Sequence, residues 1–232
     1  MLPHFRDRTM FEFGHATHPG LKRHHNEDSY AIDAGAGVFV VVDAMGGPGH
    51  GEAVAAVARE ETLLAARRGL PLDEVVRAAG AAVRCHLQTN PCPHPAGAAL
   101  TVLRLHEPSF ELAWVGDCTI LLGGSDAACV ASAASLPCAE AAAMATPAAT
   151  SLLGLGDDGE LRVGLRSGRL RYPAAILLCS DGVIEASTAQ ARQQTLIDHT
   201  LPAQESVEHL LLDALDHHAR DNLTAVLVRL RR

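Results

Sequence analysis

Four short acidic segments lie scattered from one end of this chain to the other. They are Arg23-His24-His25-Asn26-Glu27-Asp28, Val41-Val42-Asp43-Ala44-Met45-Gly46-Gly47, Leu178-Cys179-Ser180-Asp181-Gly182 and Asp221-Asn222-Leu223-Thr224. Three of them join an aspartate to an apolar run: Val38 to Val42 leads into Asp43, Ala174 to Leu178 leads toward Asp181, and Asp221 opens Leu223 to Val228. Continuous apolar runs of this length, rich in β-branched residues, suit buried strands. A carboxylate at a buried strand end carries a heavy desolvation cost unless its charge is compensated. Hard divalent cations such as Mg²⁺ take oxygen ligands and are the usual compensation. Singly, each aspartate reads as a turn residue beside a strand. Together they read as ligands of a site that can activate water.

The elements that must position these residues can be read from periodicity. Strands are expected at Phe11 to Thr17, Ser29 to Asp33 and Gly37 to Asp43, then a glycine-rich loop from Gly46 to Gly51 that opens a helix from about Glu52 to Arg68. Leu72, Val76, Ala79, Val83 and Leu87 step by three or four and predict a second helix. Ala98 to His106, Ser109 to Gly116 and Cys118 to Gly123 are separated by turn residues and read as a meander. The alanine-rich stretch from Gly124 to Gly156 reads as a surface segment, part loop and part short helix. Strands near Leu161 to Arg166 and Ala174 to Leu178 follow, then helices near Thr188 to Asp198 and Gln204 to His218, then the last strand. Paired helices and meandering strands without regular βαβ alternation predict an α+β fold with two face-to-face sheets and helix pairs outside.

Composition narrows the class. The 232 residues suffice for one large domain, with 48% hydrophobic and 20% charged residues. The formal net charge is −8 and Lys22 is the one lysine, so there is no footprint for nucleic acid. No apolar stretch is long enough to span a membrane and no signal-peptide pattern opens the chain, which predicts no membrane insertion and a cytoplasmic location. The six cysteines (85, 92, 118, 129, 138 and 179) are accordingly read as reduced. Cys85, His86, Cys92 and His94 match no standard zinc spacing. Residues 1–9 read as an N-terminal extension and residues 10–232 as one catalytic domain.

The order Arg-x-x-Asn-Glu-Asp, Asp-x-Met-Gly-Gly, Gly-Asp, Ser-Asp-Gly and Asp-Asn-x-Thr resembles the bacterial metal-dependent type 2C serine/threonine protein phosphatases, from about Phe11 to Leu230. The resemblance implies an α-β-β-α sandwich and hydrolysis of phosphoserine and phosphothreonine with two Mn²⁺ or Mg²⁺ ions. Carried over position by position, Asp43 should bridge both ions, and Asp181 and Asp221 should complete the first ion's ligands. The Ala44 carbonyl should face the second ion, with Glu27 and Asp28 serving it directly or through water. Asp117 should lie near a third, weaker ion, and Asn222 should orient the ligands. Arg23 should hold the substrate phosphate, for which a planar, permanently charged fork is suited. The implied partners are phosphorylated proteins and a cognate Ser/Thr kinase, and the chain is expected to act as a monomer.

Three features depart from the family pattern. Ala44 replaces a glycine, and its backbone is expected to stay extended. Gly116-Asp117-Cys118-Thr119 replaces Gly-Asp-Ser-Arg, and an acidic and hydroxyl motif is missing between Gly124 and Gly156. Met45 stands where some relatives carry a histidine, and it cannot donate a proton. The alternatives to an active phosphatase are a catalytically weak phosphoprotein-binding or partner-docking relative, and a phosphoesterase acting on small molecules.

Overall fold

A computed structural model describes residues 11–47, 49–106, 109–124, 128–132, 151–156, 161–169 and 173–230. The alternation of its strands explains the layers. In β3 (Val38–Met45), Val38, Val40 and Val42 pack against helices while Phe39 and Val41 face the opposite sheet. In β9 (Ala174–Cys179), Ala175, Leu177 and Cys179 turn toward a second helical layer, and Ala174, Ile176 and Leu178 turn inward. A strand buried on both faces must be apolar at every position, which is why these runs look continuous in sequence.

One sheet has the order β1-β10-β9-β6-β7, formed by β1 (Phe11–His18), β10 (Leu223–Leu230), β9, β6 (Thr119–Gly124) and β7 (Ala128–Ser132). The other has the order β2-β3-β4-β5-β8, formed by β2 (Asp28–Asp33), β3, β4 (Gly97–His106), β5 (Ser109–Val115) and β8 (Gly164–Arg169). All pairings are antiparallel. Helices α1 (His50–Arg67) and α2 (Leu72–Thr89) cover the second sheet. Helices α3 (Asp181–Ala186), α4 (Ala189–Ile197) and α5 (Ala203–Asp216) lie over the first. The expected four-layer sandwich is therefore the fold observed. The face that α5 turns to the sheet is apolar as its spacing predicts, with Val207, Leu210, Leu211 and Ala214 buried.

Three expectations need correction. Part of the 124–156 stretch forms a strand, β7, paired with β6; residues 133–150, and with them any motif or short helix there, lie outside the described residues, as does the 1–9 extension. The strand expected at Leu161 begins later, at Gly164, because Leu161 is drawn into the core beneath α2. The six-residue α3 was not anticipated, being too short to show a helical period. No helix among the described residues is long and apolar enough to cross a membrane.

Candidate metal centre

The ends of both sheets deliver acidic residues to one cleft of about 430 Å³. Asp43 arrives from β3, Asp117 from the turn between β5 and β6, Asp181 from the start of α3 just after β9, and Asp221 from the residues preceding β10. Glu27 comes from the loop joining β1 to β2. The same loop brings Arg23 to the cleft, with Lys22, His24 and His25 beside it. Met45, Ala99 and Leu152 supply apolar lining. Leu152 is held there by its neighbour Leu153, which forms an isolated bridge to Ala98 at the start of β4.

Asn222 builds the loop that carries Arg23 and Glu27. Its Nδ2 donates to the carbonyls of Pro19 (3.0 Å) and His25 (2.9 Å), and its Oδ1 accepts from the Glu27 amide (2.9 Å). Asn222 itself also lines the cleft. Two glycines complete the fit. A Cβ on Gly182 would stand 2.2 Å from the Asn222 carbonyl oxygen, and one on Gly51 would stand 2.1 Å from the Glu27 carboxylate.

Glu27 and Asp28, adjacent in sequence, point to different surroundings. Glu27 lines the cleft; burial and the nearby Glu52 raise its pKa, while the Gly47 amide opposes the shift. Asp28 is buried behind the cleft, opposite Asp43 in the β2–β3 register. Its carboxylate accepts from the Ser180 hydroxyl (2.8 Å), and that hydroxyl accepts from the Thr224 amide (3.0 Å). Asp28 thus ties one sheet to the other beneath the site. Burial pushes it up to about 7, against hydrogen bonds from Thr224 and Ser180 that favour the charged form.

The remaining acids crowd one another. Burial, then the charges of Asp28 and Asp181, hold Asp43 well above the usual carboxylate range. Asp181 and Asp117 are also raised, first by burial. Asp43 and Asp181 act on one another: Asp181 raises Asp43, and Asp43 lowers Asp181. Asp221 is engaged otherwise: Arg23 donates to it at 2.7 Å. The residue expected to hold phosphate therefore pairs with a residue expected to hold a cation. As these side chains stand, no group of three acidic, histidine or cysteine residues among the described residues is closed around a cation-sized point.

The donor set nevertheless fits a hard divalent cation. The groups that converge are carboxylate oxygens, and burial and like charge raise Glu27, Asp43, Asp117 and Asp181 by opposing their ionisation. Ala44 lies in β3, paired with Ala98. Among the described residues His218 is the only non-glycine with positive φ, so alanine at position 44 carries no backbone strain, as expected. Cys118 is buried, and its thiol is raised by burial and by the surrounding acids.

Sequence reasoning set aside the histidines, yet His24 and His25 line the cleft, and His25 bonds Glu52 at 3.0 Å. Their adjacency to Arg23 was the available signal. Leu152 offered none, since its place depends on the Leu153 bridge to β4.

The four-layer sandwich is also the fold of solved bacterial serine/threonine phosphatases. Solved structures bear out that likeness of fold. The catalytic domain of the serine/threonine phosphatase PstP in complex with two manganese ions superposes with a TM-score of 0.79 at 21% identity, over 96% of this chain and 99% of that one. PstP/Ppp is the phosphatase of Mycobacterium tuberculosis. PppA, a regulatory component of the T6SS in Pseudomonas aeruginosa, gives 0.78 at 22% over 95% and 97%. The PPM Ser-Thr phosphatase MsPP of Mycobacterium smegmatis, in complex with cacodylate, gives 0.74 at 22% over 94% and 97%. The chain belongs to the Stage II sporulation protein E (SpoIIE) family, whose model matches residues 33–231. Arg23, Glu27 and Asp28 precede that match. Comparison with curated proteins gives no sequence match.

Proposed function

We propose that the chain hydrolyses phosphoserine and phosphothreonine in proteins, with divalent cations held at the acid cluster. The observation that carries this reading is the delivery of Asp43, Asp117, Asp181, Asp221 and Glu27 from both sheets to the cleft that also holds Arg23. Asp43, Asp181 and Asp221 would hold one Mn²⁺ or Mg²⁺. Asp43, Glu27 and the Ala44 carbonyl would hold a second, and Asp117 a third, weaker one. The two manganese ions of the PstP complex support the count. Bound there, the cations supply positive charge against the phosphate oxygens and lower the pKa of water toward neutrality.

The chain's own residues do the rest. Arg23 exchanges Asp221 for two phosphate oxygens, a charge-assisted fork that orients the phosphorus for in-line attack. Asn222 keeps Arg23 and Glu27 on one pinned loop. Asp28 acts from behind by fixing the ends of both sheets. Met45 cannot protonate the leaving group, so good leaving groups such as p-nitrophenolate should react relatively well. Residues 10–232 act as one monomeric catalytic unit in the cytoplasm, residues 1–9 are an extension, and the substrates are products of a bacterial-type Ser/Thr kinase.

The test is turnover of p-nitrophenyl phosphate and of phosphoserine peptides with Mn²⁺ or Mg²⁺, against EDTA. Turnover that EDTA abolishes supports the reading, and turnover indifferent to EDTA overturns it. Binding of phosphopeptide without turnover in any metal would establish the binding-module alternative. Preference for phosphorylated metabolites over peptides would move the activity to small molecules.

A further inference from the structure

The loop between β1 and β2 places four consecutive nitrogen-bearing side chains, Lys22, Arg23, His24 and His25, on the lining of the acidic cleft. The loop is built to hold them still. Asn222 ties down Pro19, His25 and Glu27, and the Leu21 amide donates to the Ala219 carbonyl (2.9 Å). Two of the four side chains already have partners: Arg23 bonds Asp221, and His25 bonds Glu52. Lys22 and His24 are exposed and make no hydrogen bond or ion pair among the described residues. Lys22 is also the only lysine of a chain whose formal net charge is −8.

A chain of that charge repels acidic peptides in general, and an acidic cleft repels them further. Arg23 answers the phosphate of a substrate, but it leaves the charge of the flanking residues unanswered. Lys22 is one residue away on a rigid loop, a flexible cation with three donors and no partner among the described residues. We propose that Lys22, with His24 beside it, selects substrates: it receives the carboxylate or second phosphate of an acidic residue flanking the phosphoserine or phosphothreonine. The substrate class is an acidic phosphopeptide segment. This deepens the phosphatase reading and rests on it for the position of the phosphate at Arg23.

The experiment uses the full chain with Mn²⁺ and two fluorescent peptides that differ only in their flanks, acidic or neutral. Each carries a phosphonate analogue of phosphoserine, which cannot be hydrolysed, so anisotropy reads binding alone. Wild type should bind the acidic peptide about fivefold more tightly, the scale of one exposed ion pair. About 0.5 M salt should erase that advantage. Lys22→Gln should abolish it with an unchanged thermal midpoint, and Lys22→Arg should restore it. Equal affinity of wild type for both peptides, or a preference that survives Lys22→Gln or high salt, overturns the proposal. The phosphatase reading fails separately, through absent turnover of hydrolysable peptides; a preference that persists in that case assigns Lys22 to phosphopeptide recognition.

Discussion

Arg229 and Asp43 both carry ionisable groups into the interior, with opposite outcomes. Arg229 in β10 is fully buried, yet its guanidinium donates to the carbonyls of Leu201 (2.7 Å) and Thr195 (2.9 Å) and to the Ser206 hydroxyl (2.8 Å). Fixed dipoles from α4, α5 and their connection thus surround the charge. Asp43 meets Asp28, Asp181 and Asp117, which are groups of its own sign. The chain meets Arg229 with fixed acceptors, and Asp198 feels its charge, whereas it meets Asp43 with charges of the same sign. A buried charge that the fold neutralises by itself is structural. One that the fold crowds with its own sign is open to an added cation, and that marks where chemistry is expected.

The largest effects should separate these regions. Asp43→Asn should lower metal-dependent turnover by about 10³-fold or more, roughly 4 kcal/mol, while the metal-free protein melts no lower than wild type, because a source of repulsion is gone. Arg229→Met should do the reverse. It leaves buried carbonyls unpaired and should cost about 2–4 kcal/mol of stability, with turnover per folded molecule retained. Urea unfolding and turnover measured on both variants decide it; a destabilised metal-free Asp43→Asn or an inactive but stable Arg229→Met would erase the distinction.

Acidity should sharpen it. Asp28 stands at about 7 in the fold against an ordinary 3.8, so between those values the folded state holds more protons than the unfolded one. Stability of the metal-free protein should therefore be greatest at the acid end of that window and fall as pH rises through about 7. Saturating Mn²⁺ should flatten the slope, as should Asp28→Asn in part. Urea midpoints measured across the window in EDTA and in Mn²⁺ check the sign, and stability that rises with pH in EDTA in wild type but not in Asp28→Asn would contradict it.

Ala44→Gly should have the smallest effect. The residue lies in β3 without positive φ, so glycine relieves no strain there. Calorimetric Mn²⁺ titration should be unchanged within about twofold, or weakened slightly through added chain freedom. Clearly tighter binding would show that the alanine methyl crowds the site.

The layers were legible because each strand carries its own evidence. The Val38–Val42 and Ala174–Leu178 runs are apolar at every step, and the α5 face repeats at helical spacing. The acids were legible because each adjoins such an element. The pairings were not: Arg23 with Asp221 spans 198 positions, and no local pattern encodes a contact of that range. The split between Glu27 and Asp28 was hidden for a simpler reason. Successive residues entering a strand point to opposite faces, and the face is set by where β2 begins. β7 and α3 escaped because five or six residues of mixed polarity show no period.

Gly51 and Gly182 give the site an unexpected genetic profile. Neither has a side chain that could touch a substrate, yet both are positions where mutation should be felt. A Cβ at Gly51 would meet the Glu27 carboxylate, a flexible group that can swing aside, so the mutant chain should fold and accumulate while its site is disarranged. A Cβ at Gly182 would meet the backbone of Asn222, which cannot swing aside, so that mutant should be lost from the cell as unfolded protein. A random screen for loss of function would recover both, and protein abundance would tell them apart.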